Sequence, residues 1–158
     1  MNSGLLIQTK RVLVIFLCSI MVYPVALAQK KKVTQGINGK VLWKAGNLMP
    51  GPGVKPSKGS PVVREIYIYE LTSEKQTEAA QEGAFYQKIN SKLVKKVKSD
   101  KKGLFSVLLP PGYYSIFAKE EKGFYANLFD DAMNINPVQI RKGKWEKFEF
   151  VIDYAAVY

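Results

Sequence analysis

Hydrophobic and polar residues alternate with a period of two along most of this chain, in short runs. In "GINGKVLWK" (36–44), Ile37, Gly39, Val41 and Trp43 share one parity, and Asn38, Lys40 and Leu42 the other. That pattern predicts a strand with one buried face. "VVREIYIYELT" (62–72) repeats it, with Val62, Arg64, Ile66 and Ile68 on one side and Val63, Glu65, Tyr67, Tyr69 and Leu71 on the other. "LFSVLLPPGYYSIFAKE" (104–120) reads as two strands joined by a bend. Phe105, Val107 and Leu109 alternate before the bend, and Tyr114, Ile116 and Ala118 after it. Pro110 fixes φ, Pro111 extends the bend, and Gly112 is expected to close it at positive φ. Further strands are expected in "KLVKKVK", "GFYANLF", "VQIRKGK" and "WEKFEFVIDYAAVY".

Two stretches break the alternation. "AGNLMPGPGVKPSKGSP" (45–61) is too rich in proline and glycine for a helix or a central strand and reads as a long loop, with Leu48 and Met49 packing it down. In "SEKQTEAAQEGAFYQKINS" (73–91), Glu, Gln and Ala dominate up to Gly83, which predicts a short helix over 74–82 with Gly83 as its stop. "KKKVTQ" (30–35) is expected to be a mobile polar leader. Seven or eight short strands at turn spacing define an all-β chain: a β-sandwich of about seven strands with a short helical insertion, one domain over 29–158.

The period also assigns faces. With Phe105, Val107, Leu109, Tyr114 and Ile116 inward, Leu104, Leu108, Tyr113 and Phe117 turn outward, and Ile66 and Ile68 inward leave Tyr67 and Tyr69 outward. A solvated face should be polar, and this one is aromatic. Either a second, smaller core forms there, covered by the helical insertion or the 44–60 loop, or Tyr67, Tyr69, Tyr113 and Phe117 form an exposed strip that binds a partner.

The N-terminus has a different pattern. Lys10 and Arg11 precede the apolar run "VLVIFLCSIMVYPVALA", which ends at Pro24 and an Ala26-x-Ala28 cleavage pattern. Residues 1–28 therefore read as a secretory signal peptide, with an uncleaved membrane anchor as the alternative. Leu17 before Cys18 departs from the small residue that lipidation of that cysteine would need. The expected location is secreted or periplasmic, in a cell envelope, and the membrane is met only if the segment stays uncleaved. The chain after residue 28 has no cysteine, so its stability would rest on its core without disulfides.

"DKKGLFSVLLPPGYY" resembles the G-x-F-x-x-x-L-P-P-G-x-Y signature of carboxypeptidase regulatory-like domains, which are transthyretin-like (prealbumin-type) β-sandwiches; Gly103, Phe105, Leu109, Pro110, Pro111, Gly112 and Tyr114 match. Ile37, Gly39 and Val41 resemble that family's first-strand I-x-G-x-V, and "GSPV" before "IYIY" its second-strand pattern. The long "AGNLMPGPGVKPSK" loop and the "EKQTEAAQEGAFYQKINSK" insertion depart from the family's pattern; together with "YANLFD" and "INPV" they resemble a small secreted branch from Bacteroidetes-type bacteria. The resemblance implies a fold and a bacterial envelope context, and no reaction.

Composition removes most chemistry. The chain has 24 Lys and Arg against 13 Asp and Glu, a net charge of +11, and no histidine. Nucleic acid is the usual partner of such a balance, but a secretory signal directs the protein away from it. Lysines on exposed strands also serve to block edge pairing. Without His or Cys after residue 28, zinc hydrolysis and Ser–His or Cys–His nucleophiles are not expected, and no cofactor or metal is expected. The histidines and C-terminal Y-R-G-S of hydroxyisourate hydrolases are missing from a chain that ends "YAAVY". Asp130 and Asp131 could act as a carboxylate pair, and with Asn134 and Asn136 could chelate calcium, but turn chemistry accounts for that cluster. The expectation is a non-enzymatic accessory or binding module that contacts an unknown envelope protein or a glycan. The alternative is a structural or adhesive domain with no discrete ligand.

Overall fold

The computed structural model describes residues 34–53, 56–81 and 83–158. The signal-peptide reading of residues 1–28, with Cys18, lies outside them. Among the described residues there are eleven strands: β1 (Gly36–Asn47), β2 (Ser60–Pro61), β3 (Glu65–Glu70), β4 (Thr77–Ala79), β5 (Phe85–Ile89), β6 (Leu93–Lys98), β7 (Leu104–Leu108), β8 (Gly112–Glu120), β9 (Gly123–Tyr125), β10 (Pro137–Ile140) and β11 (Trp145–Val157). They form two sheets in a sandwich-like arrangement. In the four-stranded sheet β1 pairs with β11 in parallel on one side, and on the other with β7 and then β2, both antiparallel. The seven-stranded sheet runs β4-β5-β9-β8-β3-β6, with β10 beside β9 on the same flank of β8.

The all-β sandwich expected from the alternation is what forms, and its inward faces follow the parity. Ile37, Val41, Ile66, Ile68, Phe105, Val107, Leu109, Tyr114, Ile116, Phe150 and Ile152 make one buried cluster between the sheets. Gly39 lies directly opposite Phe105 in the β1–β7 ladder. The Phe105 ring covers it so closely that a Cβ at Gly39 would come within 2.0 Å of Cζ. Gly103, with φ +73°, brings its backbone under β1: Val41 N–H donates to Gly103 O at 2.8 Å, and a Cβ at Gly103 would sit 2.4 Å from Val41 O. Tyr114 Oη closes the bend by donating to Pro110 O at 2.9 Å.

Several expectations need correction. Gly112 does not take a positive φ; its space is limited instead by the Tyr114 ring, whose Oη lies 3.3 Å from where a Cβ would be. The helix expected over 74–82 is a single 3₁₀ turn at Glu74–Gln76, after which the chain turns into β4 and β5. Residue 35 belongs to the fold and not to a mobile leader. Gln35 is buried, donates through Nε2 to Leu109 O at 3.1 Å, and accepts from Gly143 N–H at Oε1 at 3.1 Å. The 45–61 loop is shorter than expected, because β1 continues to Asn47 and Ser60–Pro61 pair with it.

The lysine-rich "KLVKKVK" becomes β6, an edge of the seven-stranded sheet, with Lys95, Lys96 and Lys98 exposed. Lys96 pairs with Glu65 of β3 at 2.8 Å. Charge on that edge discourages pairing with another chain.

Candidate functional site

The four residues expected to form an outward strip do point outward, yet they do not form an exposed patch. Phe117 is fully buried and Tyr69 is 7% exposed. They pack with Tyr86, Ala126 and Ile135 into a second buried cluster, against which Tyr67 and Phe124 lean. Tyr67 is half-buried, and the Lys96 ammonium lies 4.9 Å from its ring centroid. Tyr113 alone is widely open, at 57%, and accepts from Gln139 Nε2 at 2.8 Å. The 44–60 loop does not supply the cover; the 72–92 insertion supplies part of it, as strand β5 and not as a helix. The cover comes from β5, through Tyr86, and from the 126–136 connection, whose Ile135 N–H donates to Thr72 O at 2.8 Å.

The same connection accounts for the Asp and Asn cluster. Asp130 Oδ1 accepts from the Ala132 and Asn134 N–H groups at 3.0 and 2.8 Å, and Oδ2 from Asn134 Nδ2 at 2.9 Å. These bonds hold the Asp130 carboxyl below its usual range, the Asn134 side chain contributing most. Asn136 is buried; it donates to Ile116 O and accepts from Leu128 N–H. Asp130 and Asn136 thus serve the turn and its anchorage.

A different set of residues meets at one end of the sandwich, where four strands finish or start in their inward phase. Trp43 follows Val41 on β1, Glu120 follows Ala118 at the end of β8, Arg64 precedes Ile66 and β3, and Tyr154 follows Ile152 on β11 beyond a register shift. Glu120 is nearly sealed, with its side chain 4% exposed against 30% for Arg64. Its Oε1 accepts from Arg64 Nε at 2.5 Å and its Oε2 from Tyr154 Oη at 3.0 Å. The Arg64 guanidinium lies 5.9 Å from the Trp43 ring centroid, and the Tyr154 ring meets Trp43 edge-on at 4.9 Å. Phe85 and Tyr125 stand behind Tyr154 at 4.9 and 5.5 Å. Burial raises the Tyr154 phenol above its ordinary value, and the bond to Glu120 adds to the rise. Trp43, Arg64, Glu120 and Tyr154, with Lys119 and Glu121, line a cavity of about 550 Å³.

A larger depression of about 740 Å³ lies on the four-stranded sheet, bordered by Asn38, Lys40, Ser106, Lys147 and Glu149. Leu104, Phe105 and Phe148 also line it, but all of its charged lining residues are exposed, so the end-of-sandwich cavity, with its nearly sealed ion pair beside aromatic rings, is the stronger candidate on chemistry. The sequence carried a signal for it: Arg64 shares the parity of Ile66 and Ile68, and Glu120 that of Ile116 and Ala118. A charged residue in the inward phase must find a partner at the end of the core, and extending the β3–β8 ladder from Ile66↔Ala118 places these two opposite each other.

No family model, no curated protein and no solved structure matches the chain.

Proposed function

We propose that the protein is a non-enzymatic accessory module of a bacterial cell envelope, secreted or periplasmic, which binds a glycan at the end of the sandwich through Trp43, Tyr154 and the Arg64–Glu120 pair. The observation that carries this reading is an aromatic-walled cavity whose only deeply buried charge among the described lining residues is already neutralised by an ion pair. A ligand there meets apolar ring surface and oriented polar groups without a large unbalanced charge, which suits a polyhydroxylated molecule better than a free ion. Arg64 spends Nε on Glu120 and Nη1 on Val63 O, so Nη2 can donate to a hydroxyl. The family reading, a carboxypeptidase regulatory-like domain, draws support from the contacts between its signature residues: Gly39 with Phe105, Gly103 with Val41, and Tyr114 with Pro110.

Calorimetric titration with a panel of neutral and acidic oligosaccharides tests the proposal. Saturable binding that Trp43→Ala weakens by at least about tenfold, the loss of one stacking partner, is the expected result. No binding across the panel, or binding indifferent to Trp43, overturns it. The competing reading, a structural domain, is favoured by the packing of Tyr154 on Phe85 and Tyr125, which also closes the core at this end.

A further inference from the structure

The two long edges of the sandwich are treated differently. β6 carries Lys95, Lys96 and Lys98, whereas β11, an edge of the four-stranded sheet, runs for thirteen residues with Lys147 as its single basic side chain. Its pairing with β1 fixes which main-chain groups face outward. Gly36 N–H donates to Lys144 O at 3.2 Å, so residues 144, 146, 148 and 150 turn their N–H and C=O groups toward β1. Residues 145, 147, 149 and 151 turn theirs to the open side. Asp153 keeps this phase, since its N–H reaches Tyr125 Oη at 3.4 Å on that side.

The side chains of the same open-side residues, Trp145, Lys147, Glu149 and Val151, lie on the solvent face of the strand, where the first three are exposed and Val151 is half-buried. Read forward they are aromatic, positive, negative, apolar; read backward they are apolar, negative, positive, aromatic. An antiparallel strand of the same sequence, related by a two-fold axis through Phe148, therefore sets Lys147 against Glu149 of the second copy, Glu149 against its Lys147, and Trp145 and Val151 against each other. All four are hydrogen-bonding pairs in this register, so each exchanges two main-chain bonds. A shift by two residues opposes Glu149 to Glu149, or Lys147 to Lys147, so charge selects one register. Phe148, half-buried, meets its own copy on the axis, beside a groove of about 240 Å³ lined by Phe148, Phe150, Asn127, Leu128 and Asn136.

We propose that β11 is a self-recognition edge, and that two copies of this chain pair through residues 145–151 into one continuous sheet with two-fold symmetry. Charge reversal tests the register. In Lys147→Glu both facing positions become acidic, and in Glu149→Lys both become basic. Each variant alone should self-associate at least about tenfold more weakly than the natural chain. Mixed together, the two place acid against base at every facing position and should form a heterodimer. Sedimentation velocity of the protein as isolated from the cell, from micromolar to millimolar, reads all three states. Because both positions are exposed, melting curves should show each variant folded. A natural chain that stays monomeric throughout, single reversals that dimerise unchanged, or a mixture that fails to associate would overturn the proposal. So would a monomer that instead takes up unrelated extended peptides along this edge.

Discussion

Gly39 and Phe105 show how little of the sequence is needed to fix the centre of the sandwich. A residue without a Cβ on β1 is the space into which the β7 aromatic folds, and both lie in the inward phase. Phe105→Ala should cost about 3–5 kcal/mol, as buried Phe truncations do. Gly39→Val, by driving the ring out of its site, should be destabilising through overpacking by at least about 1–3 kcal/mol. Denaturant melts of both variants check this. The parity and the I-x-G-x-V spacing made this pair legible. Gly112 was not, because a glycine after two prolines in a bend points to positive φ, while the glycine here makes room for the Tyr114 ring. Single tyrosines also set the alkaline limit. Burial holds the Tyr86 phenol up at about 12 and likewise pushes Tyr125 upward, aided by its bond to Asp153. Both should titrate near the ordinary value of 10.0 in the unfolded chain. With folded values raised, their contribution to stability is complete below about pH 10 and is lost as pH rises from there toward 12. Urea midpoints should therefore be flat with respect to these two groups up to about pH 10 and fall above it, and Tyr86→Phe should make that fall shallower.

At the scale of elements, strands with a clean period of two were legible, and the elements that depend on distant partners were not. "EKQTEAA" has good helix formers but no large apolar residue at helical spacing, so a helix there would have no face to bury. Pairing with β5, whose Phe85 and Tyr86 serve the two cores, draws Thr77–Ala79 into a strand instead. The 126–136 connection is likewise organised from outside itself, through Asn136 at φ 39°, a conformation asparagine tolerates better than most residues. Asn136→Ala removes the bonds to Leu128 and Ile116 and takes the side-chain donor from the buried Ile116 carbonyl, a loss of roughly 1–3 kcal/mol. Hydrogen exchange should then accelerate first at residues 126–136 and at Tyr69 and Phe117 beneath them, before the first core. Uniform acceleration across both sheets would contradict the connection's role as a separate cover.

Across the whole molecule, the sandwich joins two sheets whose inward phases end together, and the candidate site is a consequence of that geometry. The outward aromatics became a second core under two covers, the nearby β5 with Tyr86 and the 126–136 connection, which lies about sixty residues beyond Tyr69, a separation that no local pattern reports. Arg64 and Glu120 were visible as misplaced charges in an apolar phase, but their meeting depends on the β3–β8 register, and Trp43 and Tyr154 on the parallel β1–β11 pair. Removing one partner of the nearly sealed ion pair should be costly. Glu120→Ala leaves Arg64 and the Tyr154 hydroxyl without their acceptor and should lower the melting temperature by several degrees. The most direct test of the glycan-binding account is a two-dimensional nitrogen–proton NMR titration of the labelled protein with oligosaccharides. The account predicts saturable shifts concentrated at the Trp43 indole N–H, the Arg64 Nε–H and the amides of Glu120 and Tyr154, with the amides around Tyr113 unmoved. An absence of saturable shifts, or shifts centred on any other surface, would contradict it.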